Sequence, residues 1–179
     1  MIQSNITAVV AFLTLLSNIV FVVFILALYF KKDFRTYVYT FVNKYVLQLI
    51  FGSSMAALIG SLLYSNVAGF PPCELCWIQR IFMYPQALLS FMAMIWRDKR
   101  MVTYLFPMSI LGGLVALYHS LTNWGYGGSL LGCTSVGGEC SRVYVLEYGY
   151  ITIPFMALTT FAYLLLISVI YYKSTKERI

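Results

Sequence analysis

Residues 6–30 read ITAVVAFLTLLSNIVFVVFILALYF, 25 positions without one charged side chain. A helix needs about 20 mostly apolar residues to cross the hydrocarbon core of a bilayer, so this stretch reads as a transmembrane span. It could instead be a signal peptide, but it has no basic residue ahead of its apolar run, and the run is too long for a signal core, so it is expected to stay in the mature chain.

Working outward, four more stretches have the necessary length, at about 44–65, 78–96, 102–122 and 150–172. The chain of 179 residues is 61% hydrophobic and only 10% charged, which describes an integral membrane protein of five spans rather than a soluble globule. Each span is apolar around most of its circumference, so no water-facing polar stripe is expected. The loops at 31–44 and 97–100 read as short connectors with no room for a domain.

Lys and Arg fix the predicted orientation. Lys31, Lys32, Arg35 and Lys44 lie in the first loop, Arg97, Lys99 and Arg100 in the third, and Lys173, Lys176 and Arg178 in the tail, ten of the twelve basic residues. Basic residues near span ends are retained in the cytoplasm, which predicts an outside N-terminus, a cytoplasmic C-terminus and two exported loops at about 66–77 and 123–149. Only Arg80 and Arg142 fall on the exported side. This topology accounts for the net charge of +6 without a nucleic-acid partner.

All four cysteines lie in the exported loops, Cys73 and Cys76 in one and Cys133 and Cys140 in the other. Thiols there meet oxidising conditions. Cys73-Glu-Leu-Cys76 has the spacing of a reversible disulfide or of half a metal site. Pro71 and Pro72 stop the preceding helix, which puts Cys76 in the first turn of the third span, where unpaired N–H groups and the helix dipole favour a thiolate. Arg80, one turn further, can stabilise that thiolate, an anionic oxygen on a bound quinone, or both. A bland reading has Arg80 snorkelling to lipid phosphates.

A static disulfide is the bland alternative for each cysteine pair. A four-cysteine zinc site would need every thiol reduced on an oxidising face, so no metal is expected. His119, the single histidine, lies near the outer end of the fourth span, within reach of the same region, though a lone interface histidine often serves packing. Trp77 can anchor at the interface or stack on a ring ligand. Gly125, Gly127, Gly128, Gly132, Gly137 and Gly138 give the second exported loop conformational freedom.

Pro72-Cys73-Glu74-Leu75-Cys76-Trp77-Ile78-Gln79-Arg80 resembles the P-C-x-L-C-x-x-Q-R signature of the DsbB/BdbC disulfide-bond formation proteins. Glu147 to Pro154 resembles the segment that opens the last span of that family. The resemblance covers about residues 44–172. It implies an all-α DsbB-like four-helix transmembrane bundle, here with one additional N-terminal helix: 1–43 is the extra span and its loop, 44–172 the redox domain and 173–179 a basic cytoplasmic tail.

It further implies a thiol:quinone oxidoreductase of the bacterial cytoplasmic membrane. Such an enzyme reoxidises an exported DsbA/BdbD-like thiol oxidase and passes the electrons to ubiquinone or menaquinone. Carried over by position, Cys76 reacts with the quinone and Cys73 is its disulfide partner. Arg80 is the quinone-site cation, beside Gln79 of the same signature; Trp77 and His119 join the expected site from their own positions in the sequence, not from the resemblance. Cys133 is attacked by the partner oxidase and Cys140 is bonded to Cys133 at rest. The alternatives are a vitamin K epoxide reductase-like enzyme, separated by whether quinone or epoxide is consumed, and a non-catalytic membrane subunit with structural disulfides.

Overall fold

A computed structural model of the chain describes residues 2–125 and 143–177. The predicted loop carrying Cys133, Cys140 and Arg142 lies outside the described residues, so the second cysteine pair has no structural account.

Five helices follow one another: α1 (Ile2–Phe30), α2 (Lys32–Leu62), α3 (Glu74–Trp96), α4 (Met101–Asn123) and α5 (Ile153–Lys176). A single turn of π-helix, Leu63–Val67, extends α2. Among the described residues α1, α2 with its extension, α4 and α5 are long and apolar enough to cross a membrane. The 23-residue α3 has the length, but Gln79, Arg80, Gln86 and Ser90 dilute its apolar content. α3 packs between α2 and α4, and α5 closes the bundle against α4 and α2. α1 lies outside this four-helix core, against α2 and α5.

The helix ends follow local chemistry. Cys73 is the N-cap of α3, with extended backbone, and its sulfur accepts from the Cys76 N–H. Thr152 caps α5 through its hydroxyl, and Pro154 sits in the first turn, where a missing N–H does no harm. Ahead of it the chain reverses in a turn closed by paired Glu147 and Ile151 backbone bonds, with Tyr148 and Gly149 in the left-handed region.

One expectation needs correction. Residues 32–44 are not a connector: α2 begins at Lys32, one residue after α1 ends. This segment contains neither glycine nor proline, and its Val38 and Val42 are buried against Ile170 of α5. At 1.5 Å per residue the 36 residues of Lys32–Val67 reach about 54 Å, well beyond a hydrocarbon core of about 30 Å. The helix departs from regular geometry at Tyr45 (φ −114°, ψ 19°), where this long element kinks.

The core is a column of apolar side chains, Val46, Ile50, Met83, Leu105, Ala116, Phe161 and Leu164 among them. Gly112 lets α4 approach α5, because a Cβ there would overlap the Phe161 ring. In the middle of the bundle Ser109 donates to Gln86 Oε1 at 2.7 Å, and Gln86 Nε2 donates to the Phe82 carbonyl at 2.9 Å. Large apolar residues such as Phe12, Val23, Ile81, Leu88 and Leu114 face outward. The polarity is thus that of a protein solvated by lipid, polar contacts inside and hydrocarbon outside.

Candidate redox site and quinone cavity

Capping at Cys73 fixes the phase of α3, so that Cys73, Cys76, Gln79, Arg80 and Met83 recur at intervals of three and four and share one helix face. That face meets His119 near the end of α4. The Cys73 and Cys76 sulfurs lie 2.9 Å apart as free thiols. The Cys76 N–H points to Cys73 Sγ at 3.4 Å, and His119 Nε2 stands 3.6 Å from the same sulfur. His119 Nδ1 is 3.0 Å from Gln79 Nε2, which fixes the ring's orientation. Both His119 and Gln79 are buried.

The groups that favour a thiolate therefore gather on Cys73, whereas the sequence pointed to Cys76. The cap adds a smaller contribution: the first residue of the motif, not the last, receives an unpaired N–H of the first turn. A hydrogen bond from the Cys76 thiol is the largest influence and holds the Cys73 thiol well below its ordinary range. Burial pushes the other way, and the His119 ring adds to the lowering.

Arg80 reaches across to α2. Its Nε donates to Ser61 Oγ at 2.9 Å and one terminal nitrogen donates to the Ser61 carbonyl at 3.1 Å. These bonds use two of the five guanidinium N–H donors and leave others for a ligand. The Trp77 ring lies 5.1 Å from the Arg80 guanidinium carbon, a cation–π contact on the outer side of the helix.

Cys73, Cys76, Gln79, Arg80 and His119 line one cavity of about 330 Å³, the five predicted site residues of the first cysteine pair that the fold brings together. Trp77 is not in its lining. A position directly after Cys76 is turned about 100° away from it, and the Trp77 side chain is 54% exposed, covering Arg80 rather than stacking in the cavity.

The sequence did not single out Tyr64, Tyr84 or Asn123, which also line the cavity. The Tyr64 and Tyr84 hydroxyls and Asn123 Oδ1 are buried without a hydrogen-bond partner. Tyr64 is only 5% exposed. Buried polar groups are normally paired, so these atoms fit a ligand that carries hydrogen-bonding oxygens. For Tyr64 the signal in the sequence was weak, since a tyrosine near a span end is a usual interface residue.

The remaining wall is mostly apolar, with Ala56, Ala57, Met83, Ala157 and Phe161. An apolar chamber with a few convergent polar groups, opening beside a dithiol, suits an amphipathic ring compound such as a quinone. The two sulfurs and one His119 ring nitrogen also lie within 4.8 Å of one another, near enough for a reduced site to share a soft metal ion.

Comparison with known proteins identifies the family. The family profile described as "Disulfide bond formation protein DsbB" matches residues 43–171. The "Disulfide bond formation protein C" of Bacillus subtilis is 42% identical over 110 residues, 60% of this chain and 78% of that protein. A "Probable disulfide formation protein C 1" of Bacillus anthracis is 36% identical over 124 residues, 66% and 86% of the two chains. A "Probable disulfide formation protein C" of Halalkalibacterium halodurans is 34% identical over 136 residues, 72% and 96%. No solved structure matches the chain. The profile covers the capped Cys-x-x-Cys, the arginine joined to α2 and the four core helices, and the chain belongs to the DsbB family of disulfide bond formation proteins.

Proposed function

We propose that the chain is a membrane thiol:quinone oxidoreductase that reoxidises an exported DsbA/BdbD-like thiol oxidase. Electrons enter at Cys133/Cys140, pass by thiol–disulfide exchange to Cys73/Cys76 and leave to a membrane quinone, ubiquinone or menaquinone. Residues 44–172 form the redox domain, 1–43 the added span and 173–179 the cytoplasmic tail. The protein sits in the bacterial cytoplasmic membrane with its N-terminus and cysteine loops outside.

The observation that carries this reading is the chamber itself: a dithiol, a partly engaged arginine and the unpartnered Tyr64 hydroxyl around one apolar space. A quinone bound there supplies an acceptor for two electrons and two protons. Closing the Cys73–Cys76 disulfide releases that number, so the reaction balances without another oxidant.

The chain's own residues do the positioning. Cys76 lines the chamber as the cysteine assigned to the acceptor, and attack of the Cys73 thiolate on the Cys76 sulfur would close the S–S bond as two electrons and two protons pass to the bound acceptor. With the Gln79 amide nitrogen donating to Nδ1, the His119 proton sits on Nε2 and points at the Cys73 sulfur, where it supports the attacking thiolate. Arg80, held in place by Ser61, directs its remaining donors at the oxygen where negative charge develops. The apolar walls keep water from the exchange.

The test is quinone reduction by the purified protein with a reduced DsbA-like donor. Cys76→Ala should abolish turnover. Arg80→Ala should raise the quinone KM by about tenfold or more, as expected for loss of a charge-assisted hydrogen bond worth about 1.5–3 kcal/mol. Parental turnover in Cys76→Ala would sink the mechanism.

A further inference from the structure

α1 precedes the segment that the family profile matches, yet it is not a bystander to the cavity: Val10, Leu13, Thr14 and Ser17 form part of the wall. Its inner stripe runs at helical spacing through Thr7, Val10, Ala11, Thr14, Ser17, Phe21, Phe24 and Leu28, and the stripe changes character along its length. Toward the lysine-rich end it is bulky. Phe24 and Leu28 pack on the Val38, Val42 and Ile170 cluster, and the Phe21 ring meets Tyr163 edge to face at 4.7 Å. Tyr163 also donates to the Ser17 carbonyl at 2.6 Å and receives the Ser17 hydroxyl at 3.1 Å.

Toward the cysteine end the stripe carries smaller side chains: Thr7 and Ala11 are buried, Val10 packs on the Tyr64, Ala68 and Val145 cluster, and Val10, Leu13, Thr14 and Ser17 also border the cavity. α2 and α5 are joined near the lysine-rich end, through Val42 with Ile170 and Asn43 with Ser174. Around Ser53 to Ser65 and Ile153 to Tyr163 their facing surfaces border the cavity instead. The lining of α5 runs from Ile153 to Tyr163, about 15 Å along the axis, or half of a hydrocarbon core of about 30 Å. The outer face of α1, with Phe12, Leu16, Ile19 and Val20, is exposed and belongs to lipid. The buried, unpartnered Tyr64 hydroxyl in the same chamber points to a bound ligand.

We infer that α1 is the bilayer-side wall of the quinone cavity, and that its small residues, Thr14 foremost, set the room for the part of the quinone that runs from the ring toward the bilayer. This inference rests on the proposed quinone reaction. Thr14 satisfies its own hydroxyl by donating to the Val10 carbonyl at 2.8 Å, so its contribution to the wall is shape rather than a polar contact.

The experiment compares the full-length chain with Thr14→Phe, the milder Thr14→Leu and Leu16→Phe, whose side chain faces lipid. Each is titrated with a short-chain ubiquinone and a short-chain naphthoquinone, using a reduced DsbA-like donor. Thermal unfolding of each variant in detergent micelles is followed separately as a check that it is folded. The expected result is a rise of about tenfold in quinone KM for Thr14→Phe and a smaller rise for Thr14→Leu, with Leu16→Phe at the parental value. If Thr14→Phe fails the folding check, Thr14→Leu decides. Parental KM in the folded Thr14 variants, beside an active parental chain, overturns the role of α1 and leaves the proposed function standing. A folded parental chain that reduces neither quinone overturns both.

Discussion

At Cys73 three influences meet on one sulfur: the Cys76 thiol, the Cys76 backbone N–H and the His119 ring. Two of them follow from its being the helix cap, and the third comes from a residue 46 positions away on α4. The sign of the resulting pH dependence is set by a lowered thiol pKa. A thiolate is present above the lowered value and is lost as pH falls through it, so the reduced protein should keep a reactive Cys73 well under the range of about 8.5 typical of a free cysteine. Removing His119 takes away one lowering influence and moves the loss to higher pH. Alkylation of the reduced chain by iodoacetamide, followed by mass spectrometry across pH, checks this. We expect His119→Ala to slow Cys73 alkylation about tenfold at mildly acidic pH, the size of a hydrogen bond to a charged group, with His119→Gln recovering part of the rate. Identical pH profiles for parental and His119→Ala chains would show that the ring does not act on this sulfur.

Between helices, small residues decide how closely elements approach. Gly112 is the clearest case, since the Phe161 ring occupies the place of its missing Cβ. Phe161 is fully buried and has little freedom to yield, so Gly112→Ala should destabilise the α4–α5 contact by about 1–3 kcal/mol. Thermal unfolding in detergent micelles measures it, and an unchanged midpoint would mean that the ring relocates without strain. The helices themselves were legible in the sequence because the thickness of a bilayer dictates their length: 78–96 and 102–122 were expected where α3 is Glu74–Trp96 and α4 is Met101–Asn123. The start of α2 was not legible, because a charged run such as Lys32–Arg35 reads as a loop until Val38 and Val42 are seen packed against α5. The motif announced the site's cysteines and Arg80. It did not announce Ser61, Tyr64 or the inner face of α1, which become neighbours only when helices distant in sequence assemble. Of the two readings offered for Trp77, its exposed position outside the cavity lining fits the interface anchor, since helical phase turns it about 100° from Cys76.

Over the whole molecule the antiparallel order of the helices gathers the two tight connections and the end of α5 at one pole. Lys31, Lys32, Lys99, Arg100, Lys173 and Lys176 collect there, and Lys99 donates to the Asn43 carbonyl while Asn43 bonds Ser174, tying three elements together. At the other pole stand Cys73, Cys76 and, among the described basic residues, Arg80, which is held inward by Ser61. A charge separation this one-sided is what orients a multi-pass protein, since basic segments resist translocation. The proposed reaction needs this orientation, because a dithiol on the cytoplasmic side would be kept reduced and would not meet the exported oxidase proposed as its partner. Single cysteines in a chain whose native cysteines are replaced by serine test the arrangement: Asn66→Cys near the redox pole and Asp98→Cys in the turn between α3 and α4. A membrane-impermeant maleimide applied to intact cells should label Asn66→Cys at once and Asp98→Cys only after the membrane is permeabilised. The reverse pattern would place the redox pole in the cytoplasm, where the cysteine pair could not serve an exported oxidase.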